Sequence, residues 1–375
     1  MKHTLPFFIL ALTALGQPLI AHADLIWTQD IVESDMAYSE YTSIACDENE
    51  NCYVAYYDAN NHQLKYAFYT PDDWTIEALP LDEDSGEYCS IAIDSDGVPH
   101  IAFYDATETD LVLVENPGPG WSICRVDGEN SNVGQYTSIA IDSGGTVHIS
   151  YFDVTNSNLK YAIVSGGQAR TYTVDSTGDV GKFSCIALDS NGKPYISYYD
   201  ATNSHLKCAH KLGALWSIST VDNSTNVGTY SSIDLDNSNV PYISYYDAQN
   251  QDLKLAKYIN SNWTKSTVDS TGDVGRYSSL VCTYDNNLWI SYHDETNGAL
   301  KCAWYYGTWQ IDSIDSPYDA GLGSSIDTEK YYDYWPRISY FSNTSYNRFE
   351  LRVMSLDNYT TAGKTSNPKE LPTTN

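Results

Sequence analysis

A single unit of about 47 residues recurs along the whole chain. Aligned on an aromatic residue that precedes two small residues, six copies place Tyr41, Tyr88, Tyr136, Phe183, Tyr230 and Tyr277 at the same position, 47 or 48 residues apart. A seventh, degenerate copy places Gly323 there, 46 residues further on. A fixed period of about 20 to 50 residues indicates a repeat architecture in which every copy builds the same supersecondary unit.

Each copy contains four strand-like runs. In the third copy the first three runs are SIAID (Ser138–Asp142), HISYFD (His148–Asp153) and LKYA (Leu159–Ala162), and the fourth usually begins at a Trp, as in WTKSTVD (Trp263–Asp269). Period-two alternation, frequent Tyr, Ile and Val, and Gly, Asn and Asp between the runs all favour strands. Tandem units of four antiparallel strands predict the blades of a β-propeller. The expected fold class is therefore all-β, a seven-bladed β-propeller.

The two ends of the chain complement each other. The last copy supplies its first three strands, ending at Phe349–Met354, and lacks the Trp strand. A spare Trp strand, WTQDIVE (Trp27–Glu33), precedes the first copy. Pairing the two would close the ring and remove an open sheet edge, which is prone to aggregation. We expect one propeller over residues 24–358, closed by the N-terminal strand, followed by a polar, disordered tail over residues 359–375.

Residues 1–23 have the layout of a secretory signal peptide. Lys2 precedes an apolar stretch, and the segment ends in the small-x-small pattern Ala21-His22-Ala23. We therefore expect an exported protein, periplasmic or extracellular, and the rest of the chain contains no apolar run of the roughly 20 residues that a membrane span needs. We expect a monomer whose partner is a glycan or a protein outside the cell.

The charge balance is strongly acidic. The full chain has a formal net charge of −29, which becomes −30 without the predicted signal peptide, because that segment carries Lys2 and no acid. Binding of nucleic acid depends on Lys and Arg side chains that neutralise phosphates. The composition therefore argues against a nucleic-acid partner.

Eight cysteines in an exported chain suggest disulfide bonds. Cys46 and Cys52 flank the short turn DENEN, so we predict a disulfide between adjacent strands of one hairpin. The other cysteines lie singly in strand-like runs and are expected to be small buried hydrophobes.

Two columns of acids are predicted to share one face of the propeller. One begins the turn between the second and third strands: Asp58, Asp105, Asp153, Asp200, Asp247 and Asp294. The other begins the loop between the fourth and first strands: Glu33, Asp82, Asp127, Asp175, Asp222, Asp269 and Asp315. Such acids commonly fix a turn by accepting backbone N–H groups, and recurrence in nearly every blade favours that structural role. Calcium binding is the alternative, with Asp175, Asp200 and Asp269 as candidate ligands, and no other cofactor is expected.

Positions that differ between the copies are better candidates for a ligand site. Immediately before the aromatic column, the copies contain Glu40, Glu87, Gln135, Lys182, Thr229, Arg276 and Leu322. We expect this ring, at the mouth of the central channel, to include the ligand-binding residues. Lys182 and Arg276 could hold a carboxylate or sulfate group of a ligand, or could instead neutralise nearby Asp side chains.

An enzyme would need an acid and a base at a defined separation, and the sequence shows no clear cluster of this kind. His293 replaces a Tyr beside Asp294, so Arg276, His293 and Asp294 are the residues to test for catalysis. The sequence favours an exported, non-catalytic binding protein that presents a propeller face to a glycan, a surface polymer or a protein. The alternative is a carbohydrate-active enzyme, either a glycoside hydrolase or a polysaccharide lyase, with its site at the channel mouth.

The repeat resembles those of exported bacterial propellers in the broad sialidase-like and lectin-like group. The motifs DSDG (Asp94–Gly97) and DSNG (Asp189–Gly192) are similar to the Asp-box of sialidases, Ser-x-Asp-x-Gly-x-Thr-Trp. They lack the Thr-Trp pair, and they join the first and second strands instead of the third and fourth. Sialidases also place three arginines around the ligand carboxylate, whereas Arg276 alone is predicted on that face here. The resemblance covers nearly the whole chain and implies the propeller architecture, but not a particular activity.

Overall fold

The computed structural model describes residues 25–47, 49, 51–69, 73–81, 84–316, 319–328, 335–344 and 348–357. The predicted signal peptide (1–23), the predicted tail (359–375) and the acid at position 82 lie outside the described residues. Among the residues that are described, no helix is long and apolar enough to cross a membrane.

The described residues form 28 strands. In chain order the first half are β1 (Ile26–Met36), β2 (Thr42–Cys46), β3 (Cys52–Asp58), β4 (Gln63–Tyr69), β5 (Trp74–Ala78), β6 (Ser85–Ile93), β7 (Pro99–Asp105), β8 (Asp110–Glu115), β9 (Ser122–Asp127), β10 (Val133–Ile141), β11 (Val147–Asp153), β12 (Asn158–Ser165), β13 (Gln168–Asp175) and β14 (Val180–Leu188). The second half are β15 (Pro194–Asp200), β16 (His205–Leu212), β17 (Leu215–Asp222), β18 (Val227–Leu235), β19 (Pro241–Asp247), β20 (Asp252–Ile259), β21 (Asn262–Asp269), β22 (Val274–Cys282), β23 (Leu288–Asp294), β24 (Ala299–Tyr305), β25 (Trp309–Asp315), β26 (Ala320–Thr328), β27 (Pro336–Asn343) and β28 (Phe349–Asp357).

The strands form seven antiparallel four-stranded sheets, which confirms the predicted seven-bladed β-propeller. Blades 1 to 6 each use four consecutive strands, beginning with β2 as the inner strand of blade 1. Blade 7 has the order β1-β28-β27-β26, with Trp27 opposite Leu356. The N-terminal strand therefore completes the last blade, as predicted from the two chain ends.

The inner strands begin earlier than the sequence pattern indicated. In blade 3 the strand starts at Val133, five residues before the predicted Ser138, and two register irregularities interrupt its pairing with β11. The first irregularity contains a glycine at positive φ in this and the equivalent strands. At Gly181, for example, φ is +113° and a Cβ atom would lie 2.7 Å from Leu159 Cα in the preceding blade. Bulges of this kind bend a strand without ending it.

Small polar side chains join the inner strands of neighbouring blades. The Ile139 N–H donates to Ser90 Oγ at 3.2 Å, and the Ile186 N–H donates to Ser138 Oγ at 3.1 Å. Equivalent bonds occur at four further junctions and end on Ser43, Ser232, Ser279 and Ser325. These bonds satisfy backbone N–H groups that no strand within the same blade reaches, and so they connect one blade to the next.

Among the described residues, a buried or partly buried carboxylate links the blades farther from the axis at six of the seven junctions. Asp175, at the end of blade 3, accepts hydrogen bonds from Tyr198 Oη at 2.8 Å and Lys207 Nζ at 2.5 Å, both in blade 4. Its second oxygen accepts the Thr177 N–H at 3.0 Å. We call this arrangement the inter-blade latch. Equivalent latches form at Glu33, Asp127, Asp222, Asp269 and Asp315.

The hairpin acids fix their turns. Asp200 is 4 % exposed and accepts the backbone N–H of Asn203 at 3.0 Å and its side-chain amide at 2.9 Å. Asp153, Asp247 and Asp294 make the same pair of bonds to the Asn three residues later. The predicted turn-fixing role of this column is confirmed.

Cys46 and Cys52 lie directly opposite each other on β2 and β3, with their Sγ atoms 2.7 Å apart. Both are held as thiols in the structure, and burial raises the pKa of the Cys46 thiol. The disulfide between them stays a prediction, for which the facing side chains supply the geometry.

The latch predicts a large difference between two Lys-to-Met substitutions. Lys207→Met leaves the buried carboxylates of Asp175 and Asp200 without their cation, which should lower the free energy of unfolding by about 3 to 5 kcal/mol. The control is Lys193→Met, because Lys193 is exposed and its hydrogen bonds to the turn are made by its backbone N–H and carbonyl. Urea unfolding measures both, and equal losses for the two variants would contradict a structural role for the latch.

The latch also predicts loss of stability in acid. Burial by itself would raise the pKa of Asp175, but hydrogen bonds from Lys207 and Thr177 lower it below its usual value. A carboxyl whose pKa is lower in the folded state stabilises the fold above its unfolded pKa of about 4, and this contribution disappears as the pH falls through the folded pKa. The free energy of unfolding should therefore fall steadily below about pH 4. In Asp175→Asn this acid dependence should be smaller, and an unchanged slope would argue against the assignment.

Candidate functional site

A cavity of about 190 Å³ opens at the mouth of the central channel, on the face that carries the hairpin turns. It is lined by the aromatic column of the repeat, namely Tyr41, Tyr88, Tyr136, Phe183, Tyr230 and Tyr277, together with Glu40, Gly323 and the small residues that follow each aromatic. We call these six side chains the aromatic ring. The repeat thus places one aromatic from each of six blades around a single opening.

The six aromatic side chains contact one another in sequence around the axis. Adjacent ring centroids lie 4.6 to 4.9 Å apart, with interplanar angles of 45° to 58°. Five members have φ between +52° and +54°, a region that is unfavourable for aromatic residues. Backbone strain of this kind costs on the order of 1 to 3 kcal/mol per residue and concentrates at functional sites. In blades 2 to 6 the second bulge of the inner strand therefore turns an aromatic into the channel mouth at an energetic cost.

The ring is interrupted at blade 7, where Gly323 occupies the aromatic position. A Cβ atom on Gly323 would lie 2.2 Å from the Glu40 carbonyl oxygen. The segment from β1 to β2 crosses the top of blade 7 here, because the N-terminal strand closes that blade before the chain enters blade 1. Gly323 leaves the space for this crossing, and the Glu40 side chain lines the cavity at the seventh position.

Glu40 is held by phenol hydroxyls. Tyr38 Oη donates to Glu40 Oε2 at 3.0 Å, and Tyr277 Oη donates to the same oxygen. Tyr38 is 52 % exposed and lies on the crossing segment, whereas Tyr277 belongs to the aromatic ring. The carboxylate is therefore fixed at the mouth by two neutral donors.

The electrostatics place Glu40 close to the whole ring. Burial raises the pKa of Tyr41, Tyr136 and Tyr277, and the Glu40 charge raises each of them further. The same carboxylate also raises the pKa of Tyr88 and Tyr230. All five phenols of the aromatic ring therefore stay protonated at neutral pH, and their hydroxyls are available as donors and acceptors.

Of the variable positions predicted as ligand residues, Glu40 lines the cavity, and each of the others immediately precedes a residue of the repeat's aromatic column. Lys182 and Arg276 pair with Tyr199 and His293 of the second strand, next to the hairpin end of each blade. Glu87, Gln135, Thr229 and Leu322 hold the equivalent register positions in their blades. Leu322 is 5 % exposed and packs in the core, so six variable side chains remain beside the opening.

The two cations at the mouth have acidic partners in their own loops. Lys182 Nζ lies 2.6 Å from Asp179 Oδ2, and its ammonium lies 5.3 Å from the centre of the Phe152 ring. Arg276 lies 3.2 Å from Asp273 Oδ2 and 3.4 Å from Glu295 Oε2. The structure therefore places both cations in the neutralising arrangement that the sequence analysis left open.

A polar cluster surrounds His293 at the junction of blades 6 and 7. The His293 side chain is fully buried, and its Nδ1 lies 2.8 Å from the Ala320 carbonyl oxygen, which requires an N–H at Nδ1. Its Nε2 has no hydrogen-bond partner and lies 3.3 Å from Asp319 Oδ1 and 3.5 Å from Glu295 Oε2. Both carboxylates are about half exposed. Arg276, His293 and two acids thus meet at one edge of the mouth.

Asp294 belongs to a different environment. Its carboxylate accepts both bonds from Asn297 and lies 3.5 Å from Lys301 Nζ, on the side of the strand opposite to His293. The structure brings Arg276 and His293 together but not Asp294, because successive side chains of a strand point to opposite faces.

The three calcium candidates are occupied by protein donors. Lys207 lies beside Asp175 and Asp200, and Lys301 lies 2.6 Å from Asp269. A calcium ion at these carboxylates would have to displace an ammonium group. Among the described residues, no set of three or more His, Cys, Asp or Glu side chains is arranged to hold a metal ion.

Sequence reasoning missed three contributors to the site. Tyr38 lies in the crossing segment, at the position that Val180, Val227 and Val274 hold in other copies. Glu295 follows the hairpin acid Asp294, and Asp319 precedes the inner strand of blade 7. Both side chains are about half exposed. The degenerate Gly323 was the available signal, because a glycine in an aromatic column indicates a close approach of another backbone.

The crowding at Gly323 predicts a specific loss of stability. Gly323→Ala should be clearly more destabilising than Gly97→Ala, because Gly323 (φ +62°) faces the Glu40 backbone whereas Gly97 (φ +79°) has nothing within 4 Å. We expect about 1 to 2 kcal/mol for Gly97→Ala from the positive φ alone, and about 1 to 3 kcal/mol more for Gly323→Ala from the clash. Urea unfolding of the two variants measures the difference. An equal loss of unfolding free energy in the two variants would show that the crossing segment can move away from the added methyl group at no energetic cost.

Comparison with known proteins finds no matching protein-family model and no matching curated protein. Solved structures do match. A polysaccharide lyase, a PL25 ulvan lyase bound to -[GlcA(1-4)Rha3S]-, aligns with a TM-score of 0.57 at 10 % identity, over 86 % of this chain and 95 % of that chain. The Aleuria aurantia lectin in complex with Fucα1-6GlcNAc gives 0.50 at 14 % identity, over 76 % and 99 %.

A Hadza microbial sialidase, Hz136, gives a TM-score of 0.50 at 12 % identity, over 77 % of this chain and 73 % of that chain. At such low identities the likeness is one of fold. The chain is a seven-bladed β-propeller whose structural neighbours include lectin, sialidase and polysaccharide lyase propellers.

Proposed function

We propose that the protein is an exported, non-catalytic binding protein that holds a glycan at the channel mouth. The observation that carries the proposal is the aromatic ring, in which six side chains from six blades line one opening. Tyr side chains combine an apolar ring with a polar hydroxyl, which suits the alternating apolar and hydroxyl surfaces of a sugar. The strained φ values of five ring members support a role beyond packing.

The surrounding positions supply polar contacts of different kinds. Glu40, Glu87, Gln135, Lys182, Thr229 and Arg276 stand around the aromatic ring on a scaffold that is otherwise repeated. A few polar groups at the edge of an aromatic opening are typical of sites that fix a ligand's orientation. Propeller neighbours that are bound to sugar fragments on the same fold support a carbohydrate as the ligand.

Export follows from the signal-peptide pattern of residues 1–23, which places the binding face in the periplasm or outside the cell. The acidic composition is consistent with a soluble protein that acts as a monomer. The disulfide between Cys46 and Cys52 would form in such an oxidising compartment.

A carbohydrate-active enzyme is the second candidate, and one observation favours it. The buried Nε2 of His293 has no hydrogen-bond partner and faces Glu295 and Asp319, with Arg276 adjacent. An imidazole beside two half-exposed carboxylates offers groups for proton transfer to and from a substrate held at the mouth. In that case the reaction is cleavage of a glycan by hydrolysis or elimination.

The test is to measure binding and cleavage on the same oligosaccharides. Mature protein is titrated calorimetrically with a panel of neutral, acidic and amine-bearing oligosaccharides, and each mixture is assayed for new reducing ends. We expect binding without cleavage, and Tyr136→Ala should weaken it about tenfold or more, as truncation of a central aromatic contact does. Tyr284→Ala is the control, because Tyr284 is 70 % exposed on the opposite face.

Two outcomes would overturn the proposal. If no oligosaccharide in the panel binds, the channel mouth is not a glycan site. If new reducing ends appear and are lost in His293→Gln but not in the surface control His205→Gln, the protein is an enzyme.

A further inference from the structure

Negatively charged side chains outnumber positively charged ones at the channel mouth. Two cationic side chains stand there, Lys182 and Arg276, and each is already paired with an Asp of its own loop. Against them stand seven carboxylates, which belong to Glu40, Asp84, Glu87, Asp179, Asp273, Glu295 and Asp319. An anionic ligand would therefore have to approach a site whose cations are neutralised and whose remaining charges repel it.

Glu40 is the carboxylate that lies at the centre of this arrangement. It lines the mouth cavity, and its partners within the described chain are the phenol hydroxyls of Tyr38 and Tyr277. Burial is the main cause of the raised pKa of every phenol in the aromatic ring, and the Glu40 charge raises each of these pKa values further. A full negative charge is thus held beside a cavity by neutral donors alone.

Glu87 lies in blade 2, immediately before the ring member Tyr88. Burial and the nearby Asp84 carboxylate raise its pKa. The adjacent ring members of these two blades, Tyr41 and Tyr88, have their centroids 4.6 Å apart. A cation bound near Glu87 would relieve the repulsion between the Glu87 and Asp84 carboxylates.

The remaining lining of the cavity also suits a cation. Phenol oxygens can accept hydrogen bonds from an ammonium group, and aromatic faces attract cations through the ring quadrupole. The cavity of about 190 Å³ corresponds to about six water molecules at ~30 Å³ each. It therefore has room for one end of a ligand, such as the ammonium-bearing edge of a sugar.

We propose that the channel mouth recognises the ammonium group of a glycan that contains free amino sugars, with Glu40 as its ion-pair partner and the aromatic ring around the sugar. This inference rests on the proposed glycan-binding function and names the ligand class. Glu87 supports the same cation from the neighbouring blade. Lys182 and Arg276 stay paired with Asp179 and Asp273 and do not contact the ammonium group.

The test compares two forms of one oligosaccharide. Full-length mature protein is titrated with a glucosamine tetrasaccharide, its fully N-acetylated counterpart and spermidine, all at the same ionic strength. The glucosamine form should bind at least about tenfold more tightly than the acetylated form, because acetylation removes the charge that Glu40 recognises. Its affinity should also fall as salt is added, since the attraction is between charges.

Glu40→Gln keeps the shape of the side chain and removes its charge. It should weaken binding of the glucosamine form about tenfold and leave the acetylated form unchanged. Glu108→Gln is the matched control, because Glu108 is an exposed carboxylate in a hairpin turn on the same face that uses only its backbone N–H. If Glu40→Gln does not fold, Glu87→Gln is tested for the same selective loss.

Each alternative result gives a distinct answer. Equal binding of the two oligosaccharides, unaffected by Glu40→Gln, would overturn the amine assignment and leave the glycan-binding function intact. Spermidine bound as tightly as the glucosamine form would show that the sugar is not recognised and would overturn the assignment to a glycan. If neither oligosaccharide nor any other glycan binds, the proposed function itself falls.

Discussion

The inter-blade latch is the interaction on which the ring depends. One oxygen of Asp175 fixes its own loop through the Thr177 N–H, and the other accepts the Tyr198 hydroxyl and the Lys207 ammonium of the next blade. The carboxylate is 5 % exposed, so its desolvation is compensated only while all three donors stay in place. A latch of this kind couples the position of a loop to the position of the neighbouring blade, and repetition around the ring fixes the angle between blades.

Blade 2 shows how the latch can be replaced. Phe103 and Val112 stand where other blades have the Tyr and Lys of the latch, and both are buried. Arg125, opposite Val112 on the next strand, reaches the buried Asp110 carboxylate at 2.8 Å. An apolar pair can stabilise a fold as much as a buried ion pair does. In the other blades the latch therefore fixes the register between blades as much as it adds to the free energy of unfolding.

The architecture was predictable because a period of 47 residues leaves few alternatives. The strand count, the closing strand at Trp27 and the turn-fixing role of Asp200 all followed from residues that recur and must therefore solve a problem common to every blade. The longer inner strands were not predictable, because glycine and an aromatic at positive φ look like a turn in the sequence. Gly181 and Phe183 instead form two bulges within one strand.

The site was predictable only in part, for a related reason. Alignment located the ring of variable positions, since Lys182 and Arg276 differ from their equivalents in other blades. It could not reveal that each cation is paired with an Asp three residues earlier, because the same loops also contain turn-forming residues. Nor could it show that Tyr38, which stands where other copies have Val180, Val227 and Val274, bonds to Glu40. The buried environment of His293 depends on the loop of the next blade and was equally out of reach.

The way in which the propeller closes also forms the candidate site. Because β1 completes blade 7, the chain must cross the top of that blade to begin blade 1, and the crossing needs a glycine where the other blades have an aromatic. The crossing carries Tyr38 and Glu40, so the one gap in the aromatic ring is filled by a carboxylate. A symmetric ring of seven aromatics would carry no charge, and it would give a bound ligand no preferred orientation. The closing strand breaks that symmetry at one defined blade, and it thereby gives the mouth a negative pole around which a ligand can be oriented.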